Sequence, residues 1–127
     1  MTKTVLVLED EKPLLNAITK KLNKHGFNVL SARSVGQAVE YLEDKDIEHI
    51  DAIWLDHYLL GERNGLEFVA FVKNDKSKWK KIPIFVVSNT ATPDKVQSYL
   101  ELGVSKYHTK SDVRLDTVIQ EIQNTIK

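Results

Sequence analysis

The chain has no cysteine among its 127 residues, which removes disulfides, thiolate nucleophiles and zinc–thiolate sites together and fits a reducing compartment. Net charge is also absent. Lys plus Arg number 18 and Asp plus Glu 18, so nothing in the balance points to a polyanionic partner, and direct nucleic-acid binding is not expected. Long apolar runs are missing too: the opening MTKTVLVLEDE carries five apolar residues, too few for a signal-peptide core or a membrane span. A soluble, cytoplasmic protein with no membrane association is expected. No internal repeat, low-complexity tract or linker interrupts the chain. One domain over residues 1–127 is expected, and at this length a single core buries roughly two thirds of the unfolded surface.

What is present is a rhythm. Short apolar runs at 5–8, 27–32, 50–55, 82–87 and 104–107 alternate with amphipathic stretches. That pattern predicts an α/β fold, a doubly wound five-stranded parallel sheet with helices on both faces. The first helix places Leu14, Leu15, Ile18 and Leu22 on one stripe, with Pro13 in its first turn and Gly26 at its stop. Glu11 suits its N-terminus, where an acid is favoured by capping and by the dipole. Ser34 is expected to cap the second helix, whose stripe is Val35, Ala38, Val39 and Leu42. The third offers two stripes, Leu66, Val69 and Val72 or Phe68 and Phe71. Thr92, Pro93 and Gly103 bracket a fourth helix with Val96, Tyr99 and Leu100 facing inward. The last, capped by Ser111 or Asp112, buries Val118, Ile119, Ile122 and Ile126. KNDKSKWKK reads as a solvated loop with Trp79 folded over the sheet edge.

In an open parallel sheet all strand C-termini lie along one edge, and ligands bind there where strand order reverses. The residues that follow each strand are therefore the candidates. Glu9 and Asp10 follow the first, Asp56 the third, Ser88 the fourth and Lys110 the fifth, whereas Ala32 and Arg33 end the second without an acid. If the order is 2-1-3-4-5, the first and third strands are neighbours at the switch point and their acids converge. Clustered carboxylates raise one another's proton affinity unless a cation joins them. Hard oxygen donors with room for water suit Mg2+, which demands near-octahedral geometry at about 2.1 Å. A carboxylate beside such an ion can attack phosphorus to give an acyl phosphate, and Lys110 and Ser88 are placed to neutralise and hydrogen-bond the phosphoryl oxygens. Asp56 is the acid expected to be the nucleophile.

Taken singly, each residue has an ordinary explanation. Asp56 could be a turn residue, although the next helix starts near Gly65, too far downstream for capping. Glu9 and Asp10 could serve a helix dipole, Ser88 could end a strand, and Lys110 could be one more solvated lysine. His25, His49, His57 and His108 fall in separate segments without i, i+4 spacing, which argues against a histidine metal site. Trp54 reads as core and as a fluorescent reporter two residues from Asp56.

The segments LED, LDHYL, VVSN and YHTKSD, in that order and near that spacing, resemble the receiver domain of two-component response regulators over the whole chain. The resemblance implies a phosphoacceptor signalling domain in a flavodoxin-like fold. Asp56 would take a phosphoryl group from a histidine kinase or a histidine phosphotransfer protein. Asp10 and Asp56 would ligate Mg2+, with Glu9 helping through water and the backbone carbonyl of Tyr58 adding a ligand. Ser88 would turn toward the phosphoryl group, Lys110 would pair with it, and Tyr107 would be the aromatic switch. The output face would be the fourth helix, fifth strand and fifth helix, holding Lys95, Tyr99, Lys106 and Arg114. Such a domain is not an enzyme in the turnover sense, since it promotes only its own phosphoryl transfer and autodephosphorylation. Its downstream target is unknown from sequence, and a monomer or a phosphorylation-dependent dimer fits.

Four departures stand out. Ser111 follows Lys110 where many receivers carry Pro, HYLLGERNG lacks a common Pro and is one residue longer, Asn89 is larger than usual, and Glu9 replaces the commoner Asp. Two rival readings are a non-phosphorylated pseudo-receiver interaction module and an aspartyl-phosphate phosphatase of the haloacid dehalogenase type. The latter expects an acid two residues after the nucleophile, where this chain has Tyr58. Met1 just ahead of the first strand and Lys127 at the end of the last helix fit either a stand-alone protein or an N-terminal fragment.

Overall fold

The computed structural model describes residues 2–89 and 92–126; Met1, and Lys127 at the expected end of the last helix, lie outside the described residues. Strands β1 (Thr4–Leu8), β2 (Asn28–Ala32), β3 (Ala52–Leu55), β4 (Ile84–Ser88) and β5 (Lys106–Thr109) alternate with helices α1 (Lys12–Lys24), α2 (Val35–Glu43), α3 (Gly65–Val72), α4 (Pro93–Leu102) and α5 (Leu115–Thr125). All pairings are parallel, as the rhythm of the sequence predicts, and the order is β2-β1-β3-β4-β5, the one that makes the ends of the first and third strands converge.

Strands β1, β3 and β4 are buried along their whole length, so alternate side chains feed two separate apolar layers. Leu6, Leu8, Ile53, Leu55, Ile84 and Val86 pack with Ala38 and Leu42 of α2 and Phe68 and Val69 of α3. Val5, Val7, Trp54, Phe85 and Val87 pack with Ile18 and Leu22 of α1 and Val118 and Ile122 of α5. Register decides what happens at the upper edge: Leu8 pairs with both Ala32 and Leu55, and Leu55 with Val86. Glu9 and Asp56 therefore leave adjacent strands at the same level, one residue past a matched pair.

Several local expectations are corrected. Leu100 is 47% exposed, because Tyr99, with no exposed surface, takes the inward position of α4. On α3 the two alternative stripes merge: Phe68, Val69 and Val72 are buried, Leu66 is half-buried and Phe71 is exposed. Glu11 and Thr92 occupy N-cap positions without a side-chain cap hydrogen bond, whereas Ser34 caps α2 as expected by accepting from the Gln37 N–H. Neither Ser111 nor Asp112 caps α5; both lie in a short 3-10 turn, Lys110–Asp112, and Arg114 holds the N-cap position. The lysine-rich loop is mostly exposed, as a solvated loop should be, and it is anchored at two points. Its Trp79 indole donates to the Leu42 carbonyl at the end of α2, and Lys73 Nζ donates to the carbonyls of Lys80 and Ile82.

Candidate functional site

Of the residues singled out at the strand ends, Glu9, Asp10, Asp56 and Lys110 are brought together. One oxygen from each of the three acids lies within 4.8 Å of the others. Lys110 Nζ bridges two of them, at 2.9 Å from Glu9 Oε1 and 3.1 Å from Asp56 Oδ2. Backbone bonds fix the frame: the Asp56 N–H donates to the Leu8 carbonyl and the Glu9 N–H to the Ala32 carbonyl, each at 3.0 Å. Glu9 is 1% and Asp56 3% exposed, so these are buried charges held by partners, not surface acids. The second oxygen of each acid also has a donor. Glu9 Oε2 accepts from the Glu11 N–H at 2.9 Å and Asp56 Oδ1 from the His57 N–H at 2.7 Å.

Crowding shows in the proton affinities. Burial, the largest influence, pushes Glu9 up to about 7 against the pull of Lys110, and the Asp56 charge adds to the rise. Burial alone would lower the Lys110 ammonium, but its hydrogen bond to Glu9 and the charge of Asp56 outweigh that and hold it above its ordinary value. Three carboxylates converge where the Lys110 ammonium reaches only two of them, an arrangement that a divalent cation would relieve. The donors are hard oxygens, a set that suits a hard divalent cation.

Ser88, fully buried at the end of β4, is paired in register with Thr109, the residue before Lys110. On β5, the half-buried Tyr107 phenol is raised most by burial; the Ser88 side chain pulls it back and the Asp56 charge adds to the rise. Tyr58 lies two residues past Asp56 with its side chain 55% exposed and Lys95 Nζ 5.7 Å from its ring centroid. Asn89 is exposed. Trp54, Glu9, Lys110 and Val87 line a shared cavity of about 90 Å3, which puts the indole beside the acidic cluster.

Two residues that sequence reasoning passed over belong here. Arg33 supplies no acid, but its Nε and Nη2 both donate to the Asp10 carbonyl, at 3.1 and 2.8 Å, and hold the loop that carries Asp10. A cation one strand away from the acids was the available signal. In the sequence His57 stands only among the histidines that lack metal-site spacing. It is 3% exposed, and its Nδ1 lies 2.6 Å from the Tyr99 hydroxyl. Burial, then Lys95, lowers the imidazole below its ordinary value, while burial raises the Tyr99 phenol. No nearby sequence signal reveals that pairing, because the partners are 42 residues apart.

The sequence pattern of the response regulator receiver domain matches residues 5–123. The chain belongs to the response regulator receiver family. This receiver is 29% identical over 107 residues to a putative NtrX-like response regulator of Rickettsia typhi, covering 84% of the present chain but only 21% of that relative. Among solved structures it is similar to the phosphorylated cyanobacterial phytochrome response regulator RcpA, with 27% identity, a TM-score of 0.82, and coverage of 98% of this chain and 91% of that one. It is also similar to the Mn(2+)-bound form of response regulator Rcp1, with 26% identity, a TM-score of 0.77, and coverage of 96% and 90%. The receiver is thus a signalling domain with a buried acidic cluster able to bind a metal. No helix among its described residues is long and apolar enough to cross a membrane.

Proposed function

We propose that this receiver accepts a phosphoryl group on Asp56 from the phosphohistidine of a histidine kinase or phosphotransfer protein, in a Mg2+-dependent step. The observation that carries the reading is the convergence of Glu9, Asp10 and Asp56 oxygens within 4.8 Å, with Lys110 bonded to the last of these and to Glu9. Asp10 and Asp56 would hold the ion directly, with Glu9 acting through water and Tyr58 contributing its backbone carbonyl; once bound, it would neutralise charge on the phosphoryl oxygens. A carboxylate oxygen of Asp56 attacks phosphorus, the P–N bond of the donor breaks, and the departing histidine nitrogen is reprotonated. Lys110, already within reach of Asp56, pairs with a phosphoryl oxygen, and the Ser88 hydroxyl donates to another.

The product replaces the single charge of the Asp56 carboxylate with up to two on the phosphoryl oxygens, beside Glu9 and Asp10, and this change in charge and hydrogen-bond acceptors biases a two-state surface. Ser88 and Tyr107, on the paired strands β4 and β5, carry that bias to the face formed by α4, β5 and α5. The domain is a switch and not a turnover enzyme, and its action on a downstream protein occurs in the cytoplasm. Incubation with acetyl phosphate or phosphoramidate and Mg2+, followed by intact mass measurement, tests the core of the reading. One phosphoryl adduct is expected on the native chain and none on Asp56→Asn. An adduct of equal yield on both would overturn it.

A further inference from the structure

Resting on the phosphoacceptor reading, we propose that His57 and Tyr99 are a positioning pair that ties α4 to the acceptor residue, so that α4 responds to what happens at Asp56. His57 grips the acceptor by its backbone, donating its N–H to Asp56 Oδ1 at 2.7 Å, and grips α4 by its side chain, with Nδ1 2.6 Å from the Tyr99 hydroxyl. One residue therefore links both ends, with no exposed segment in between.

Tyr99 is the part of α4 that matters most for this link. It is the one fully buried residue of that helix, while Val96 and Leu102 are half-buried and Leu100 is exposed. The docking of α4 on the sheet is accordingly concentrated in one side chain whose polar tip is bound to His57. The start of α3 is shaped around the same junction. A Cβ on Gly65 would collide with the Tyr99 hydroxyl and come within 2.9 Å of the Asp56 carbonyl oxygen and 3.1 Å of the His57 Cα. Gly65 instead sends its N–H to the His57 carbonyl at 3.0 Å and leaves the space to the phenol. On its other side the Tyr99 ring lies 5.5 Å, centroid to centroid, from Tyr107, whose strand β5 pairs with β4 and its terminal Ser88. The circuit Asp56, His57, Tyr99, Tyr107, Ser88 thus begins and ends at side chains of the phosphoacceptor site, and α4 sits within it.

A buried phenol needs some hydrogen-bond partner, and a purely structural bond would affect stability alone. The positioning role predicts something more: removing the bond uncouples α4 from the acceptor. The test compares amide 1H–15N spectra with and without beryllofluoride and Mg2+ for the native receiver, Tyr99→Phe, His57→Leu and His57→Asn. Tyr99→Phe keeps the ring and deletes only the hydroxyl, and Asn presents an amide nitrogen near the position of Nδ1. In the native protein, shifts are expected both beside Asp56 and Ser88 and along α4 at Lys95 to Ser98. Tyr99→Phe and His57→Leu should keep the first set and lose the second, and His57→Asn should restore it. Full α4 shifts in both Tyr99→Phe and His57→Leu would overturn the pair's role. Native shifts confined to the acceptor would overturn it as well, leaving phosphoacceptance intact. An absence of any native shift around Asp56 would instead sink the phosphoacceptor reading, and the coupling with it.

Discussion

Strand β3 has an aspartate at each end, Asp51 just before it and Asp56 just after, and the two have opposite surroundings. Asp51 Oδ2 accepts from the Thr4 N–H at 2.8 Å and lies 2.7 Å from His49 Nδ1. There one acid meets two local donors. At the other end three acids converge, and the Lys110 ammonium bridges two of them, Glu9 and Asp56. An acid matched by its donors stabilises a fold, whereas acids that outnumber their counter-charges leave a deficit that a cation or a transferred group can fill. Residue type and strand are the same at both ends. The difference comes from topology: parallel strands bring only their C-termini to the switch point.

The widest separation between the two ends should appear in phosphoryl uptake. Asp56→Asn abolishes the adduct, and Asp51→Asn, which keeps an acceptor oxygen for Thr4, should leave its yield at the native level by intact mass. Loss of uptake in Asp51→Asn would erase the contrast. Next in size is the effect of removing the shared cation. Lys110→Met strands two buried carboxylates, and breaking a buried pair typically costs several kcal/mol. Glu9, already pushed up to about 7, relieves part of this by taking a proton. A loss of about 2 kcal/mol in urea unfolding with EDTA is therefore expected. The gap to native should narrow when Mg2+ is supplied, because the ion replaces the missing positive charge; a gap unchanged by Mg2+ would contradict a metal at this end of the strand.

The metal itself should report through Trp54, which lines the same cavity as Glu9 and Lys110. Mg2+ titration should change its fluorescence saturably in the native protein. Asp10→Asn removes an expected direct ligand, so the midpoint should rise by at least about tenfold, since losing an outer partner of a ligand alone often costs that much. Asp51→Asn should titrate as native does. Identical midpoints in all three proteins would remove Asp10 from the site.

The sheet and the acidic cluster were legible because both follow from coarse regularities. Continuous apolar runs mark strands buried on two faces, and whatever follows each run is carried to one edge by parallel register, as Leu8 pairing with Leu55 carries Glu9 and Asp56. What escaped the sequence depends on local angles or distant partners. Tyr99 and Leu100 are adjacent apolar residues, and a stripe containing both leaves the helix phase open; Tyr99 took the core because its hydroxyl could be satisfied by His57. Ser111 and Asp112 read as caps, yet both are taken up in the 3-10 turn that starts at Lys110. Arg33 holds the Asp10 backbone through a carbonyl, and no side-chain pattern records such a contact.

The smallest expected effect lies at the lower end of β3 and sets the scale for the rest. Asp51→Ala deletes the acceptor of the Thr4 N–H, at the first residue of β1, together with the partner of His49. Thr4 is 8% exposed, so its amide recovers only part of its hydrogen bonding from water. A buried donor left unpaired costs about 1–3 kcal/mol, and with partial solvent access the lower figure applies, so urea unfolding should show a loss of about 1 kcal/mol. Unlike the loss in Lys110→Met, this one should be the same with EDTA and with Mg2+, because no ion is drawn to an acid whose donors already match it. A Mg2+-sensitive loss at Asp51 would mean that cation demand is a general property of the ends of this strand, and the case for a dedicated site at Asp56 would weaken accordingly.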